Sequence, residues 1–193
     1  MNYLAHAYFS FGDPEILVGN LISDFVKGKK KFEYPQGVQK GITLHRVIDE
    51  FTDNHPATRK AKQFFKPFVG LYAGAFVDVV YDHFLAINKE IFPGDTLKDF
   101  TTKTYKTLDE YIHLFPEPFA RMYPHMKEHN WLYNYQFMWG IQKSFGGVVR
   151  RAKYLAESEG AFEAFVENYE ELRVYGEEFL GEAGRWVITL NSN

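Results

Sequence analysis

Leu71-Tyr-Ala-Gly-Ala-Phe-Val-Asp-Val-Val-Tyr-Asp-His-Phe-Leu-Ala-Ile87 is the stretch from which the fold can be read. It is too long for a strand, and besides tyrosine its only ionisable side chains are Asp78, Asp82 and His83. A segment this apolar belongs in a core as a helix. Asp78 and Asp82 are four residues apart and so share one face of it. An unpaired buried carboxylate is costly, so something cationic must meet the pair: a metal ion, a histidine or an arginine. The plain structural alternative is a helix–helix salt bridge to Arg46 or Lys40. His83, directly after Asp82, sets a neutral nitrogen beside anionic oxygens and favours a metal.

Helical periodicity continues on both sides, with Pro and Gly where helices should begin or end. Asp13-Pro14 starts a helix through Leu17, Leu21 and Phe25 that should stop near Gly28. Pro35 starts another, through Val38, Ile42, His45 and Ile48 towards Pro56. A short amphipathic helix then runs to about Pro67, and the buried helix is expected over Leu71 to Ile91. Further helices are expected over Leu97–Leu114, Phe119–Phe145 and Phe162–Phe179, the last closed by Gly181 and Gly184. No repeat, low-complexity tract or long linker divides the 193 residues. The expectation is an all-α, single-domain helical bundle over residues 1–193.

The absence of cysteine removes thiolate metal sites and cysteine nucleophiles, leaving His, Asp, Glu or Asn as ligands. The start, Met-Asn-Tyr-Leu-Ala-His, has no basic leader, and no apolar run approaches the roughly 18 residues of a membrane span, which makes the cytoplasm the expected compartment. A formal net charge of −3 argues against a general nucleic-acid binder, so neither nucleic acid nor membrane is an expected partner. The charge is uneven: residues 1–66 hold ten Lys or Arg against seven acids, and residues 151–193 hold four against nine. A locally basic front on an acidic protein suits an acidic partner or a phosphorylated substrate.

Two further polar pairs sit on apolar helices. His45 and Asp49 are four apart and fall on the arc between Ile42 and Ile48, so they face inward. A self-contained His–Asp hydrogen bond explains that pair as well as metal ligation does. Asn20 and Asp24 form the third pair, and His6 stands in an apolar segment upstream, where alone it is more often a core histidine than a ligand. Asp53 extends the acidic face or caps the next helix. Together these groups suit a hard or borderline divalent ion, Mn²⁺ or Mg²⁺. His125 and His129, beside Lys127 and Glu128, read as a solvated face. Trp131, Tyr133, Tyr135, Phe137 and Trp139 read as core, and His55 before Pro56 as a turn residue.

Four motifs in order carry a resemblance: Met1-Asn-Tyr-Leu-Ala-His6; Gly19-Asn-Leu-Ile-Ser-Asp-Phe-Val-Lys-Gly28; Gly-Ile-x-x-His45-Arg-x-Ile-Asp49-x-x-Thr-Asp53; and Asp78-Val-x-x-Asp82-His-Phe-Leu85. In this spacing the chain resembles the bacterial acyl carrier protein phosphodiesterases. The resemblance implies a helical fold likened to HD-domain phosphohydrolases, Mn²⁺ dependence, and hydrolysis of the phosphodiester joining 4′-phosphopantetheine to a serine of acyl carrier protein. Carried over by position, Asp24 matches the acid most tied to activity, with His6, His45, Asp82 and His83 as metal-site companions. The adjacent pair reads Asp82-His83, whereas an HD protein has His-Asp. The expected ligands are His6, Asp24, His45 and Asp82, with Asp49, Asp78 and His83 orienting them or moving protons.

The partner expectation has its own basis in the residues. Lys27, Lys29, Lys30 and Lys31 follow the Asp24 helix, and Lys40, Arg46, Arg59, Lys60 and Lys62 stand on the next two. Such a rim would steer a strongly acidic carrier protein towards the metal. Two other readings remain at this point: an HD-like hydrolase of nucleotides or another small phosphodiester, which needs no extended basic surface, and a carrier-binding helical module without turnover.

Overall fold

The structure is a computed structural model that describes residues 1–191. Among the described residues eleven α-helices run α1 Tyr3–Tyr8, α2 Pro14–Ile22, α3 Gln36–Asn54, α4 Pro56–Val69, α5 Ala73–Ile87, α6 Thr96–Glu110, α7 Glu117–Glu128, α8 Trp131–Asn134, α9 Met138–Arg151, α10 Glu159–Glu167 and α11 Tyr169–Asn191. Among the described residues there is no strand.

The helix starts follow from residue chemistry. Asp13 accepts from the Ile16 N–H at 2.9 Å with Pro14 behind it, and His55 Nδ1 accepts from the Ala57 N–H at 3.2 Å with Pro56 behind it. Both prolines occupy the first helical turn, where an N–H would be unsatisfied anyway. His55 is thus a cap as well as a turn residue, and its Nε2 lies 3.2 Å from Glu182 on α11. Asp53 is left to pair with Lys62 at 2.7 Å.

α5 is the core helix, in contact with α1, α4, α9 and α11. Tyr81 stacks on Phe179 with centroids 4.5 Å apart, and Phe76 meets Phe145 edge-on at 4.6 Å. The tightest crossing is α2 on α3. A Cβ on Gly19 would stand 2.1 Å from the Val38 carbonyl oxygen, and one on Gly41 2.2 Å from that of Ile16. Only glycine lets these backbones approach so closely, and this crossing lays His45 against the Asn20 carbonyl.

Several boundaries differ from expectation. α2 stops at Ile22 and a 3₁₀ turn over Ser23–Phe25 follows, so Asp24 leaves the helical face it would share with Asn20. α5 ends at Ile87, not Ile91. The helix expected over Phe119–Phe145 is three helices, because Asn130 adopts a left-handed conformation with φ 43° and Phe137 an extended one. α11 continues through Gly181 and Gly184, since Ala183 and Val187 are buried and Trp186 stacks on Phe51 at 4.3 Å; packing outweighs the weak helix propensity of glycine there. Contrary to the expectation that no apolar run approaches a membrane span, Pro56–Ile87 has that length and composition; it is interrupted by the 3₁₀ turn at Gly70–Tyr72, and α5 within it forms the core.

Candidate active site

Four elements deliver the polar groups. α1 brings His6, the Ser23–Phe25 turn brings Asp24, α3 brings His45 and Asp49, and α5 brings Asp78 and Asp82. Asn20, at the end of α2, ties them together. Its Nδ2 donates to the His6 carbonyl at 2.7 Å and to Ser10 Oγ at 3.1 Å, while its own carbonyl oxygen lies 2.7 Å from His45 Nδ1. A carbonyl only accepts, so Nδ1 of His45 carries a proton and Nε2 faces the site.

That Nε2 lies 3.1 Å from Asp24 Oδ1 and 3.1 Å from Asp49 Oδ2. Burial opposes a charge on His45, but the hydrogen bonds and charges of the two carboxylates outweigh it and hold the imidazolium up to about 9. The bond to His45 in turn keeps the Asp24 carboxyl below its usual range. Asp24 stands at the mouth, with 67% of its side chain exposed.

His6 stacks on His45 with centroids 3.9 Å apart and planes 15° from parallel. It is buried, and Asp49 Oδ1 lies 3.2 Å from its Nε2 but without hydrogen-bond geometry, so neither ring nitrogen has a hydrogen-bond partner. Burial, then the charge of His45, pushes the His6 pKa down to about 4, which leaves it a neutral imidazole. Buried polar nitrogens without partners are rare in native proteins. A neutral imidazole with an unused lone pair, stacked on a second imidazole whose Nε2 faces two carboxylates, fits a divalent cation. His6, His45 and Asp49 have ligand atoms within 4.8 Å of one another.

The carboxylates of α5 have other partners. The Asp82 oxygens accept from the backbone N–H groups of Leu4 at 2.8 Å and Ala5 at 3.1 Å, so Asp82 holds the first turn of α1 and through it His6. Burial raises the Asp82 pKa to about 7 against the pull of those two donors. Asp78 lies 3.2 Å from the Met1 amine, which also donates to Asp49 at 3.1 Å. Burial works against that amine, yet Asp78 and Asp49 hold it up to about 11. The cation expected beside Asp78 and Asp82 is therefore neither Arg46 nor Lys40. In place of Asp82, the structure brings Asp49 to the two imidazoles.

His83 points elsewhere. Neighbours on a helix diverge by about 100°, and His83 sends Nδ1 to the Tyr135 carbonyl at 2.7 Å and Nε2 to the Tyr169 hydroxyl at 2.8 Å. This geometry does not fit the proton-moving or ligand-orienting role expected of it. The basic residues divide. Lys27, Lys29 and Lys30 are exposed beyond Asp24, and Arg46 donates to the Val26 carbonyl at 2.9 Å, next to that turn. Lys31 reaches Thr43 and, with Phe32, Gln36 and Lys40, lines a shallow hollow of about 470 Å³. Arg59 is exposed on α4, which packs on α3, α5, α10 and α11, and among the described residues its side chain makes no hydrogen bond or ion pair with the centre.

Two features escape the sequence reading. One is Asn20 as the hub, since it joins the His6 backbone carbonyl, the Ser10 hydroxyl and the His45 ring, a set that no spacing announces. The other is a cleft of about 680 Å³ where α7, α8 and α9 meet the start of α1. His125 and His129 are exposed as expected but line this cleft, and so do Trp131, half-buried against the core, and Trp139, which is exposed and not core; Tyr135 is buried as expected.

No solved structure matches the chain. Residues 1–183 match the family model described as acyl carrier protein phosphodiesterase. Relatives of that name include one from Serratia proteamaculans, 33% identical over 89% of this chain and 90% of its own. One from Photorhabdus laumondii is 30% identical over 88% and 86%, and one from Salmonella paratyphi A is 34% identical over 78% and 79%. The match spans every helix that contributes to the His–Asp centre, and the chain belongs to the acyl carrier protein phosphodiesterase family.

Proposed function

We propose that this protein hydrolyses the phosphodiester between 4′-phosphopantetheine and a serine of holo-acyl carrier protein, at a centre that takes Mn²⁺ or Mg²⁺ between His6, His45, Asp24 and Asp49. The observation that carries the metal is His6, a buried neutral imidazole with two unused nitrogens stacked on a second imidazole. The four ligands come from α1, the Ser23–Phe25 turn and α3, within the HD-domain-like helical fold that the family resemblance would imply. A divalent cation bound there supplies Lewis acidity to a phosphoryl oxygen and to an attacking water.

The protein's own groups do the rest. Asp24, exposed at the mouth and ionised at neutral pH, receives a proton from the water whose oxygen attacks phosphorus in line. The phosphorus–oxygen bond to serine breaks as the new one forms, and the proton passes to the departing serine oxygen. Asn20 fixes the tautomer of His45, and Asp82 fixes α1 under His6. The exposed Lys27, Lys29 and Lys30, with Lys31 and Lys40 around the exposed ring of Phe32, form a cationic rim with an apolar centre, which suits an acidic helical partner.

Conversion of holo-carrier to apo-carrier with Mn²⁺, followed by gel shift, tests the reading. Wild-type protein should give apo-carrier and Asp24→Ala should give none while keeping its helical content. Unchanged turnover in Asp24→Ala would remove the centre described here.

A further inference from the structure

Beside the His–Asp centre the cleft between α7, α8 and α9 has its own chemistry. Lys143, Arg150 and Arg151 line it and no Asp or Glu does, in a chain whose net charge is −3. Asn2 and Tyr3 close one end, and Tyr3 stands one turn before His6 on α1. Met1, just before Asn2, reaches Asp49 with its amine, so the start of the chain joins cleft and centre. Burial raises the pKa of the Tyr3 phenol, Arg151 lowers it and Asp24 raises it, for a value of about 12. The phenol therefore keeps its proton and donates to Met122 Sδ at 3.6 Å.

The floor of the cleft is bare backbone. Gly146 and Gly147 sit inside α9, where glycine is less stable than alanine. Packing does not require them, because a Cβ on either would meet nothing nearer than the Arg150 guanidinium, at 3.7 and 3.6 Å. Gly140 is the contrast: a Cβ there would lie 2.0 Å from the Asn134 carbonyl oxygen. Glycines without a packing reason leave backbone open to a ligand. The lining adds Trp131 and Trp139, Asn134, whose Nδ2 donates to the His129 carbonyl at 2.7 Å and leaves its Oδ1 as an acceptor, and Ser144, whose hydroxyl donates to the Gly140 carbonyl at 2.9 Å and can still accept.

The geometry points to this cleft as the seat of a phosphorylated, amide-bearing arm, its phosphate beside Tyr3 and Arg151, its chain against Trp131 and Trp139, and its amides at Asn134 and Ser144. The assignment rests on the phosphodiesterase reading, whose product, 4′-phosphopantetheine, is such an arm. Lys143 and Arg150 extend the positive field along the cleft, so the anion is drawn in from solvent.

Titration of the full chain with 4′-phosphopantetheine, followed by tryptophan emission, tests it. Trp131 and Trp139 line the cleft, whereas Trp186 stacks on Phe51. A saturable change should persist in Trp186→Phe and be at least about tenfold weaker in affinity in Gly147→Leu and in Arg151→Gln; each tenfold step is one factor of ten in Kd. Pantetheine without the phosphate should bind about tenfold more weakly as well. Gly147→Leu fills the floor with a better helix former, and Arg151→Gln alters an exposed side chain, so folding is not at risk in both. Wild-type affinity in both variants, or a signal lost in Trp186→Phe, would overturn the cleft. The two readings separate in turnover. Wild-type protein that binds the arm as described but leaves holo-carrier intact with Mn²⁺ upholds the cleft and sinks the carrier reading. Turnover of holo-carrier with unchanged KM in both variants does the reverse.

Discussion

At the scale of single residues the centre turns on one proton. His45 keeps a proton on Nε2 up to about pH 9 because Asp24 and Asp49 flank it, and a divalent cation must displace that proton to use the nitrogen. The sign follows directly: lower pH restores the proton, so Mn²⁺ affinity weakens as pH falls. Between pH 6.5 and 8, calorimetry should show Kd rising about tenfold for each unit of acidification, as one-proton linkage requires. An affinity flat over that range would mean His45 is not a ligand. His6, already neutral at these pH values, adds no slope of its own. His6→Ala should still remove most Mn²⁺ binding, and it should also lower the midpoint of thermal unfolding of the metal-free protein, because removing a buried ring stacked on His45 leaves a cavity. The pairs His45–Asp49 and Asp78–Asp82 were legible in the sequence because a four-residue spacing on an apolar helix has few meanings. The partners of Asp82 were not, because backbone N–H groups carry no residue signature.

At the scale of elements, the crossing of α2 on α3 sets the gap between Asn20 and His45. Gly41→Ala would drive a methyl into the Ile16 carbonyl, part of a helix backbone that cannot swing aside. A cost on the order of 2 kcal/mol is expected for such overpacking, seen as a drop of roughly 4–8 °C in Tm for a chain this size. Loss of Mn²⁺ affinity should accompany it as the helices part, and an unchanged Tm would show that the backbones are free to separate. Where a proline opens a helix, element starts were readable, as at Pro14 and Pro56, whereas Gly181 and Gly184 did not end α11. Boundaries were unreadable where a left-handed Asn130 splits an aromatic stretch whose texture reads as one buried helix. The same texture concealed the cleft, because an indole that lines a groove and one that fills a core look alike in sequence.

At the scale of the whole molecule, the charges divide the surface into a cationic rim around Lys27–Lys31 and an acidic C-terminal part. The rim should govern encounter and leave the bond-breaking step alone. Replacing Lys29, Lys30 and Lys31 by Gln should raise KM for holo-carrier several-fold at low ionic strength with kcat little changed, and added salt should shrink the difference, since the Debye length falls to about 8 Å at 0.15 M. A KM equal to wild type in low salt would take the rim out of docking. α1 shows how far local and distant structure are joined. Six residues are too few to hold a helix alone, and its first turn is closed by the carboxylate of Asp82, 78 positions beyond Leu4. The amides at a helix start ordinarily trade their protons with water fastest, having no partner in the helix. Here the Leu4 and Ala5 amides should be among the slowest to take up deuterium in the molecule, opening only when α5 itself unfolds, so that exchange at the fourth and fifth residues of the chain reports the stability of its centre.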